Sequence, residues 1–287
     1  MKDFTYMHYG FIGLGLIGGS IARGLRERYP ECVITAYDKE SASVEAAKRD
    51  GIVNICAYEI DRVFSACDLV FLCAPVSCNA ENLPLLEKVL GEDALLTDVG
   101  SVKEDIHSHV RAAGLESRFI GGHPMAGSER TGYQNSKARL LENAYYILTP
   151  TEKTPSEKTD FMERLVKSLG AIPLILSAAE HDYVTAGISH LPHVISASLV
   201  NLVKEKDNAE GIMKLIAAGG FKDITRISSS SPVMWEHICM TNNANILSLL
   251  DNYMETLQDI RRRISTLDGR ATYDFFESAR SFRESFT

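Results

Sequence analysis

A glycine-rich turn near the N-terminus constrains the fold more than any other part of the chain. It follows a short apolar run at 6–12 and precedes a helix-compatible run at 20–29. In this G-x-G-x-x-G pattern the first glycine permits a tight turn, the second lets a pyrophosphate approach the backbone, and the third lets helix and strand pack closely. A glycine turn without a ligand is the alternative. The pattern predicts a dinucleotide site made by Gly13, Gly15, Leu16, Ile17 and Gly18.

Asp38 strengthens the dinucleotide prediction. It ends the next predicted strand, at 32–37, where dinucleotide-binding folds place a carboxylate against the adenosine ribose hydroxyls. An NADP 2′-phosphate would set a negative charge against this carboxylate, although Lys39 leaves limited tolerance for it. The expected cofactor is therefore NAD.

Strand-like and helix-like segments alternate up to about residue 176, and the chain is helical in pattern from residue 178 onward. The alternation predicts an α/β fold whose N-terminal part is a Rossmann-type, doubly wound parallel sheet. We therefore expect an NAD-binding domain over 1–177 and an all-α substrate and dimerisation domain over 178–287. Ligands bind beyond the carboxyl ends of such strands. Ala74 and Pro75 follow one strand there and are expected to contact the cofactor.

His123 follows another predicted strand and lies between two glycines and Pro124. A neutral histidine can accept the proton of an alcohol during its oxidation, because its pKa lies near physiological pH. A single histidine in a glycine-rich turn is more often structural. The catalytic interpretation therefore depends on the residues that accompany it.

Ser101 follows the strand at 95–98 and has two interpretations. Its side chain could cap a helix that begins near Val102, with Glu104 completing a capping box. Its hydroxyl could also meet the substrate or the nicotinamide at the sheet edge. The two roles are compatible, so Ser101 is a candidate for both the catalytic and the cofactor group.

The helical part offers a histidine pair and an arginine. A predicted helix at 179–204 places His190 and His193 on one face, and Pro192 between them should loosen the turn. As an isolated pair these histidines are more often core or interface residues. Arg226 has a planar cation suited to a carboxylate, but a local pair with Asp223 would have the same sequence pattern.

The last predicted helix begins after 228–232 and repeats apolar residues at alternating spacings of four and three. Such a seam could pack within the subunit, but its regularity favours a homodimer. Trp235 precedes it and could lie in the core or at the subunit interface. The seam residues are Ile246, Leu250, Tyr253, Leu257, Ile260, Ile264 and Leu267.

The composition of the chain limits the classes of partner that it is expected to bind. The net charge is −8, and Arg261-Arg262-Arg263 is the nearest approach to a basic run, which argues against nucleic acid. No apolar run of membrane-spanning or signal-peptide length is evident, so we expect no membrane partner and a cytoplasmic location. The six cysteines lack C-x-x-C spacing, so neither disulfides nor a metal site is expected.

Five segments in this order resemble the prephenate dehydrogenases and their arogenate-specific relatives, over nearly the whole chain. The glycine turn is shared by many dehydrogenases, whereas the other four segments are specific. The segments are Gly13–Ser20, Asp98-Val99-Gly100-Ser101-Val102-Lys103, Gly122–Glu129 with its His123-Pro124, His190-Leu191-Pro192-His193, and Phe221-Lys222-Asp223-Ile224-Thr225-Arg226.

The resemblance implies an NAD-dependent oxidative decarboxylation in tyrosine biosynthesis. Hydride leaves C4 of prephenate for NAD, carbon dioxide leaves C1, and aromatisation gives 4-hydroxyphenylpyruvate. By motif position, His123 accepts the C4 hydroxyl proton, and Ser101 hydrogen-bonds that hydroxyl or the imidazole. Many relatives carry a further C-terminal regulatory domain, which this sequence is not expected to include. Inhibition by tyrosine would then act at the active site or the interface.

The same resemblance assigns a substrate-binding group. Arg226 is expected to bind a substrate carboxylate with His193 near the side-chain end, while Glu129 and Asp223 orient or gate the arginine. Trp235 resembles an aromatic residue that the other subunit supplies. His190 belongs to the same histidine motif and completes the group.

Three alternatives compete with this assignment. An arogenate dehydrogenase would run the same chemistry on an amino rather than a keto side chain. A β-hydroxyacid dehydrogenase would use a catalytic lysine in the helical domain, which the His-Pro segment and Arg226 argue against. A silent NAD-binding sensor would need Asp38 but not His123, Ser101 and Arg226 together.

Overall fold

A computed structural model describes residues 3–128 and 130–286. Its centre is an eight-stranded sheet in the order β3-β2-β1-β4-β5-β6-β7-β8. The first six strands are parallel, whereas β7 runs antiparallel to β6 and β8 runs parallel to β7. The strands are β1 His8–Ile12, β2 Val33–Tyr37, β3 Ile55–Ala57, β4 Leu69–Leu72, β5 Leu95–Asp98, β6 Phe119–Pro124, β7 Tyr145–Pro150 and β8 Ile172–Ile175.

The sheet departs from the sequence prediction in two ways. The sequence patterns predict seven strands and miss β3, because three residues are too few to establish a period. They also predict a wholly parallel sheet, but β7 and β8 run opposite to the other six strands. The reversal is possible because β6 and β7 are joined by a loop and short 3₁₀ turns rather than by a crossover helix.

Helices cover both faces of the sheet, and β4 illustrates the alternation. Leu69 and Phe71 point to the face that holds α1 and α5, whereas Val70 and Leu72 point to the face that holds α3 and α4. All four side chains are buried. The helices of this part are α1 Leu16–Arg28, α2 Ser41–Arg49, α3 Val76–Val89, α4 Glu104–Ala112 and α5 Ser156–Ser168.

The strand order reverses between β1 and β4, which lie side by side although two strands separate them along the chain. The loops after these two strands therefore diverge and leave a crevice at the carboxyl edge. Gly13 follows β1 and Cys73 follows β4. The predicted dinucleotide turn thus lies at the topological switch point.

The helical part starts at Ser177, whose hydroxyl accepts the backbone N–H of Glu180 at 3.2 Å in a reciprocal capping box. One π-helical turn, Ala186–His190, interrupts the first long helical stretch. It precedes Pro192, which cannot donate to the carbonyl of Ile188. The helices are α6 Ala178–Thr185, α7 Leu191–Lys206, α8 Ile212–Ile216, α9 Gly219–Thr225, α10 Pro232–Thr241, α11 Asn243–Ser265 and α12 Gly269–Glu284.

The single long C-terminal helix expected from the sequence is wrong. Asn242 separates α10 from α11, and α11 ends before Leu267. Leu267 has a left-handed backbone with a φ of 54°, and its side chain is 90% exposed. Only some of the seam residues are therefore buried within the chain. Ile246 and Ile260 are buried, whereas Leu257 and Ile264 are exposed.

The segment Ala178–Lys206 is long and apolar enough to cross a membrane by length and composition alone, with a mean hydropathy of 1.2. The sequence patterns do not single it out, because its apolar residues are interspersed with small and polar ones. Much of its apolar surface is exposed, as Val184, Ile188 and Leu202 illustrate. Exposed apolar surface of this extent is typical of a site of contact with another protein or a membrane.

Candidate active site

The glycine turn has the geometry of a dinucleotide cradle. Gly13 has a φ of +92°, and a Cβ there would lie 2.6 Å from the backbone nitrogen of Ala74. A Cβ on Gly18 would lie 2.7 Å from the carbonyl oxygen of Gly13. Gly15 differs, because a Cβ there would meet no atom within 4 Å. The first and third glycines are thus required by the fold, and the second faces open space.

The groups around this turn suit a bound NAD. Gly15 is the N-cap of α1 and offers no side-chain cap, so the first N–H groups of the helix are available to a pyrophosphate. Asp38 accepts the N–H of Leu14 at 2.6 Å and that of Glu40 at 2.8 Å. Each carboxylate oxygen keeps a further lone pair for a ribose hydroxyl. Leu16 and Ile17 open α1.

Two further cofactor candidates border the same crevice. Ala74 lies against Gly13, and its carbonyl accepts a hydrogen bond from the buried Asn79 side chain at 2.9 Å. Pro75 is the N-cap of α3, which it enters without a backbone N–H to donate. The structure therefore brings the ends of β1, β2 and β4 together around the glycine turn.

A buried ion pair holds the next two strand ends together. Lys103 is fully buried, and its ammonium pairs with the carboxylate of Asp98 at the end of β5. The same carboxylate accepts the N–H of Gly100 at 2.8 Å and that of Gly122 at 3.1 Å. Burial lowers the pKa of Lys103, and the Asp98 carboxylate opposes that effect. The pair fixes the loop that carries Ser101.

Glycine is needed at the two positions before His123 because β6 passes very close to the Asp98–Lys103 pair. A Cβ on Gly121 would lie 2.2 Å from the Thr149 hydroxyl, and one on Gly122 would lie 2.5 Å from the Asp98 carbonyl. Neither neighbour can withdraw, since both belong to the sheet. The Gly-Gly pair thus allows β6 to bring His123 to the carboxyl edge.

His123 is paired with a histidine that the sequence patterns do not identify. Its Nδ1 lies 2.8 Å from Nε2 of His181 in α6. Burial lowers the pKa of His123 well below its usual value, and the neighbouring His181, Lys103 and His190 lower it further. The imidazole is therefore neutral at physiological pH and can act as a proton acceptor.

His181 is in turn bound to Asp182. Its Nδ1 lies 2.7 Å from Oδ1 of that carboxylate, and both side chains are buried. Burial lowers the pKa of His181 more than the Asp182 hydrogen bond raises it. Only adjacency in the sequence could have signalled this pair, because His181-Asp182 belongs to no recognisable spacing motif.

Asp182 also caps α4, which corrects the capping prediction for Ser101. The Asp182 carboxylate accepts the N–H of Lys103 at 2.7 Å and that of Glu104 at 2.8 Å. The helix begins at Glu104 with Lys103 as its N-cap, two residues after Ser101. Among the described residues Ser101 makes no side-chain hydrogen bond. Its hydroxyl, partly exposed, remains available at the sheet edge.

His190 has a fixed tautomer in this arrangement. The amide nitrogen of Asn242 donates to the backbone carbonyl of Asp182 at 2.8 Å and to Nδ1 of His190 at 3.1 Å. Nδ1 is therefore an acceptor, and Nε2 carries the hydrogen. That Nε2 is buried and has no partner within 3–128 and 130–286. Burial lowers the pKa of His190 to about 4, so the ring stays neutral.

His193 and Trp235 stack on each other within one chain. Their ring centroids are 3.8 Å apart at an angle of 28°. The Ser189 carbonyl accepts a hydrogen bond from Nδ1 of His193 at 2.8 Å, which leaves Nε2 as an acceptor. Burial lowers the pKa of His193, and the nearby Arg226 cation lowers it further.

Arg226 begins a 3₁₀ turn directly after α9, which contains Asp223. Its backbone N–H bonds to the carbonyl of Asp223, but within the described part of the chain no ion pair joins the two side chains. The local-pair alternative is therefore not realised. Arg226 instead lies near His193. Glu129, expected beside Arg226, lies outside the described residues.

Two family models match consecutive parts of the chain. The first, "Prephenate dehydrogenase, nucleotide-binding domain", matches residues 21–174, and the second, "Prephenate dehydrogenase, dimerization domain", matches residues 177–278. A prephenate dehydrogenase of Bacillus subtilis (strain 168) is 37% identical over 290 residues, which cover 99% of this chain and 76% of the relative.

Two solved structures have the same fold. Prephenate dehydrogenase from A. aeolicus, in complex with hydroxyphenyl propionate and NAD+, superposes with a TM-score of 0.94 at 31% identity and covers 100% of both chains. Synechocystis arogenate dehydrogenase superposes with a TM-score of 0.86 at 29% identity, covering 98% of this chain and 100% of the other.

The open space at Gly15 generates a prediction about cofactor binding. Gly15→Val should leave the unfolding midpoint of the cofactor-free protein nearly unchanged, because a Cβ at this position meets no atom within 4 Å. It should weaken NAD binding at least tenfold, since the side chain would occupy the path of the pyrophosphate. Calorimetric titration with NAD and urea unfolding measure the two effects. Unchanged NAD affinity would contradict the assignment of this turn.

Proposed function

This chain belongs to the prephenate dehydrogenase family and is an NAD-dependent oxidoreductase; we propose that it converts prephenate to 4-hydroxyphenylpyruvate, with His123 as the proton acceptor. The observation that carries the assignment of the base is the neutral His123 imidazole at the carboxyl edge of the NAD-binding sheet, with Nδ1 engaged and Nε2 without a partner among the described residues. The product places the enzyme in tyrosine biosynthesis.

The reaction needs one proton acceptor and accurate positioning. Bound NAD supplies the hydride acceptor for C4 of the substrate. His123 takes the C4 hydroxyl proton on Nε2, which allows the C4–O bond to become a carbonyl as the hydride leaves. A base placed in this way contributes about 10²- to 10⁴-fold to the rate. The electron pair of the bond from C1 to its carboxylate then moves through the ring to the C4 oxygen as carbon dioxide leaves, and the resulting phenolate takes the proton back from His123.

Ser101 would assist at the same oxygen. Its hydroxyl follows β5 on the loop that the Asp98–Lys103 pair anchors, at the same sheet edge as His123, and it does not cap α4. A hydroxyl there can donate to the C4 oxygen or hydrogen-bond the imidazole. The same position borders the nicotinamide end of the crevice, so Ser101 would serve both groups.

The helical part would bind the rest of the substrate. Arg226 would pair with a substrate carboxylate, a charge-assisted bond of about 1.5–3 kcal/mol. His193, stacked on Trp235, would contact the side-chain end, and His190 would donate from its unpartnered Nε2. Glu129 and Asp223 would orient or gate the arginine, although no ion pair between the Asp223 and Arg226 side chains is found in the described part of the chain.

Arogenate is the second candidate substrate. The close match to the Synechocystis arogenate dehydrogenase favours this alternative. Arogenate differs only in carrying an ammonium where prephenate has a keto oxygen, so the same base and the same hydride transfer serve both. Discrimination would depend on the groups at the side-chain end. Initial rates with each substrate and with NAD or NADP separate the possibilities.

The chain would act as a cytoplasmic homodimer. Each subunit would have an NAD-binding domain over 1–177 and a helical domain over 178–287, with the boundary at Ser177. The second family model is described as a dimerization domain. Exposed apolar residues lie on α6, α7 and α11. A second copy covering them would also account for the apolar surface of Ala178–Lys206. Trp235 is expected from the sequence to be supplied by the other subunit, but in this structure it stacks on His193 of its own chain.

Replacement of the base tests the mechanism. His123→Asn should retain NAD binding and lower kcat by roughly 10²-fold or more, because no neighbouring group replaces the acceptor. Steady-state NADH formation from prephenate and titration with NAD provide the measurements. Full activity in this variant would exclude His123 as the base, and absence of NADH formation by the wild type with both substrates would overturn the function.

Replacement of the arginine tests substrate binding. Arg226→Ala should raise the KM for prephenate roughly 10-fold or more, since a charge-assisted hydrogen bond is lost, with a smaller effect on kcat. Arg139→Ala is a suitable control, because Arg139 is a largely exposed cation in the NAD-binding part. An unchanged KM for Arg226→Ala would remove its role as carboxylate ligand.

A pair of matched leucines tests the dimer. Leu257 in α11 and Leu85 in α3 are both 46% exposed. Leu257→Glu should shift the protein toward monomer in sedimentation equilibrium, because a charge would be buried in the subunit interface. Leu85→Glu should leave the wild-type dimer intact. A monomeric wild type, or equal behaviour of the two variants, would contradict the proposed interface.

A further inference from the structure

Three side chains, those of Asp182, His181 and His123, form a hydrogen-bonded line that ends at the proposed base. The first two belong to α6 of the helical part, and the third belongs to β6 of the sheet. The line has a defined direction, since a carboxylate can only accept. Its hydrogen positions can therefore be assigned from chemistry.

The assignment starts at Asp182. Its Oδ1 accepts from His181, so Nδ1 of His181 carries a hydrogen. Because His181 is neutral, its Nε2 then has a lone pair and accepts from His123. Nδ1 of His123 consequently carries a hydrogen, and Nε2 of His123 has the free lone pair. The opposite tautomer would place two lone pairs against each other between the rings.

We propose that His181 and Asp182 are positioning residues that hold His123 in the tautomer with a basic Nε2. This inference rests on the proposed function of His123 as proton acceptor. The proton from the substrate hydroxyl ends on Nε2 of His123, and the hydrogen on Nδ1 stays in its bond to His181. No proton has to leave the line for the step to occur.

The carboxylate at the end of the line is itself rigidly held. Asp182 accepts the N–H groups of Lys103 and Glu104, so it cannot rotate without breaking the cap of α4. Among the described residues, the other ionisable groups around the line are the buried Lys103–Asp98 pair, the neutral His190, and His107, which lies near Asp182 and whose pKa burial lowers. The nearby Lys103 ammonium disfavours the imidazolium form of His123 and His181. Asp182, through its hydrogen bond to His181, and the more distant Asp98 are the carboxylates that favour positive charge on His181.

Two replacements break the line at different points. His181→Phe removes the acceptor for Nδ1 of His123, and Asp182→Asn removes the obligate acceptor for His181. Each should lower kcat roughly tenfold or more with NAD affinity nearly unchanged, because the base spends time in the wrong tautomer. The acid limb of the kcat/KM profile should move to lower pH in Asp182→Asn, since the imidazolium loses a stabilising carboxylate.

His181→Gln should restore part of the kcat that His181→Phe loses. Its amide oxygen can accept from Nδ1 of His123 without help from Asp182, so kcat should lie above that of His181→Phe. In the His181→Gln background Asp182→Asn should cost less than it costs alone, which a double-mutant cycle measures. Thr185→Val is the packing control, because Thr185 is buried in α6 and bonds only to backbone carbonyls. Its kcat should stay within about twofold of wild type.

A measurement without substrate separates this inference from the proposed function. In ¹⁵N-histidine-labelled protein, ring nitrogen shifts should report Nδ1–H for His123 in the wild type and Thr185→Val, and Nε2–H or a mixture in His181→Phe. An unchanged tautomer, or activity of His181→Phe and Asp182→Asn equal to that of Thr185→Val, would overturn the inference. Loss of the proposed function would instead appear as no turnover by the wild type.

Discussion

The arrangement of the site depends on one carboxylate, that of Asp182. It accepts two backbone N–H groups at the start of α4 and one ring N–H from His181. A buried carboxylate costs several kcal/mol unless such donors replace its water. The contact therefore fixes the helical part against the sheet and at the same time sets the hydrogen positions that reach His123. The Asp182 carboxylate thus serves both the packing of the helical part against the sheet and the placement of hydrogens in the site.

The sheet side of the site depends on a second buried charge. Asp98 pairs with Lys103 and holds β6 through the N–H of Gly122. Only glycine permits the close approach of β6, because a Cβ would meet the Asp98 carbonyl or the Thr149 hydroxyl. The two glycines before His123 thus serve packing. Both are needed to place an imidazole at the carboxyl edge.

The neutral state of the histidines follows from the same burial. His123, His181, His190 and His193 all have pKa values lowered chiefly by burial. A neutral imidazole has one donor and one acceptor nitrogen, so each ring can be assigned a direction from its partner. His123 is left with an acceptor, whereas His190 is left with a donor. The site therefore holds an acceptor nitrogen and a donor nitrogen that come from the same residue type.

The sequence by itself determined the α/β-then-helical order and predicted the glycine turn with Asp38 as the NAD site and His123 as the candidate base, because these depend on local spacing and on segments that resemble one family. It could not determine the role of His181-Asp182, the true cap of α4, the direction of β7 or the breaks around α11. Those features depend on which distant groups meet: the start of α4 finds its cap 78 residues away in Asp182. Hydrogen-bond direction is a property of paired atoms, so only the tertiary structure decided which nitrogen of His123 is free.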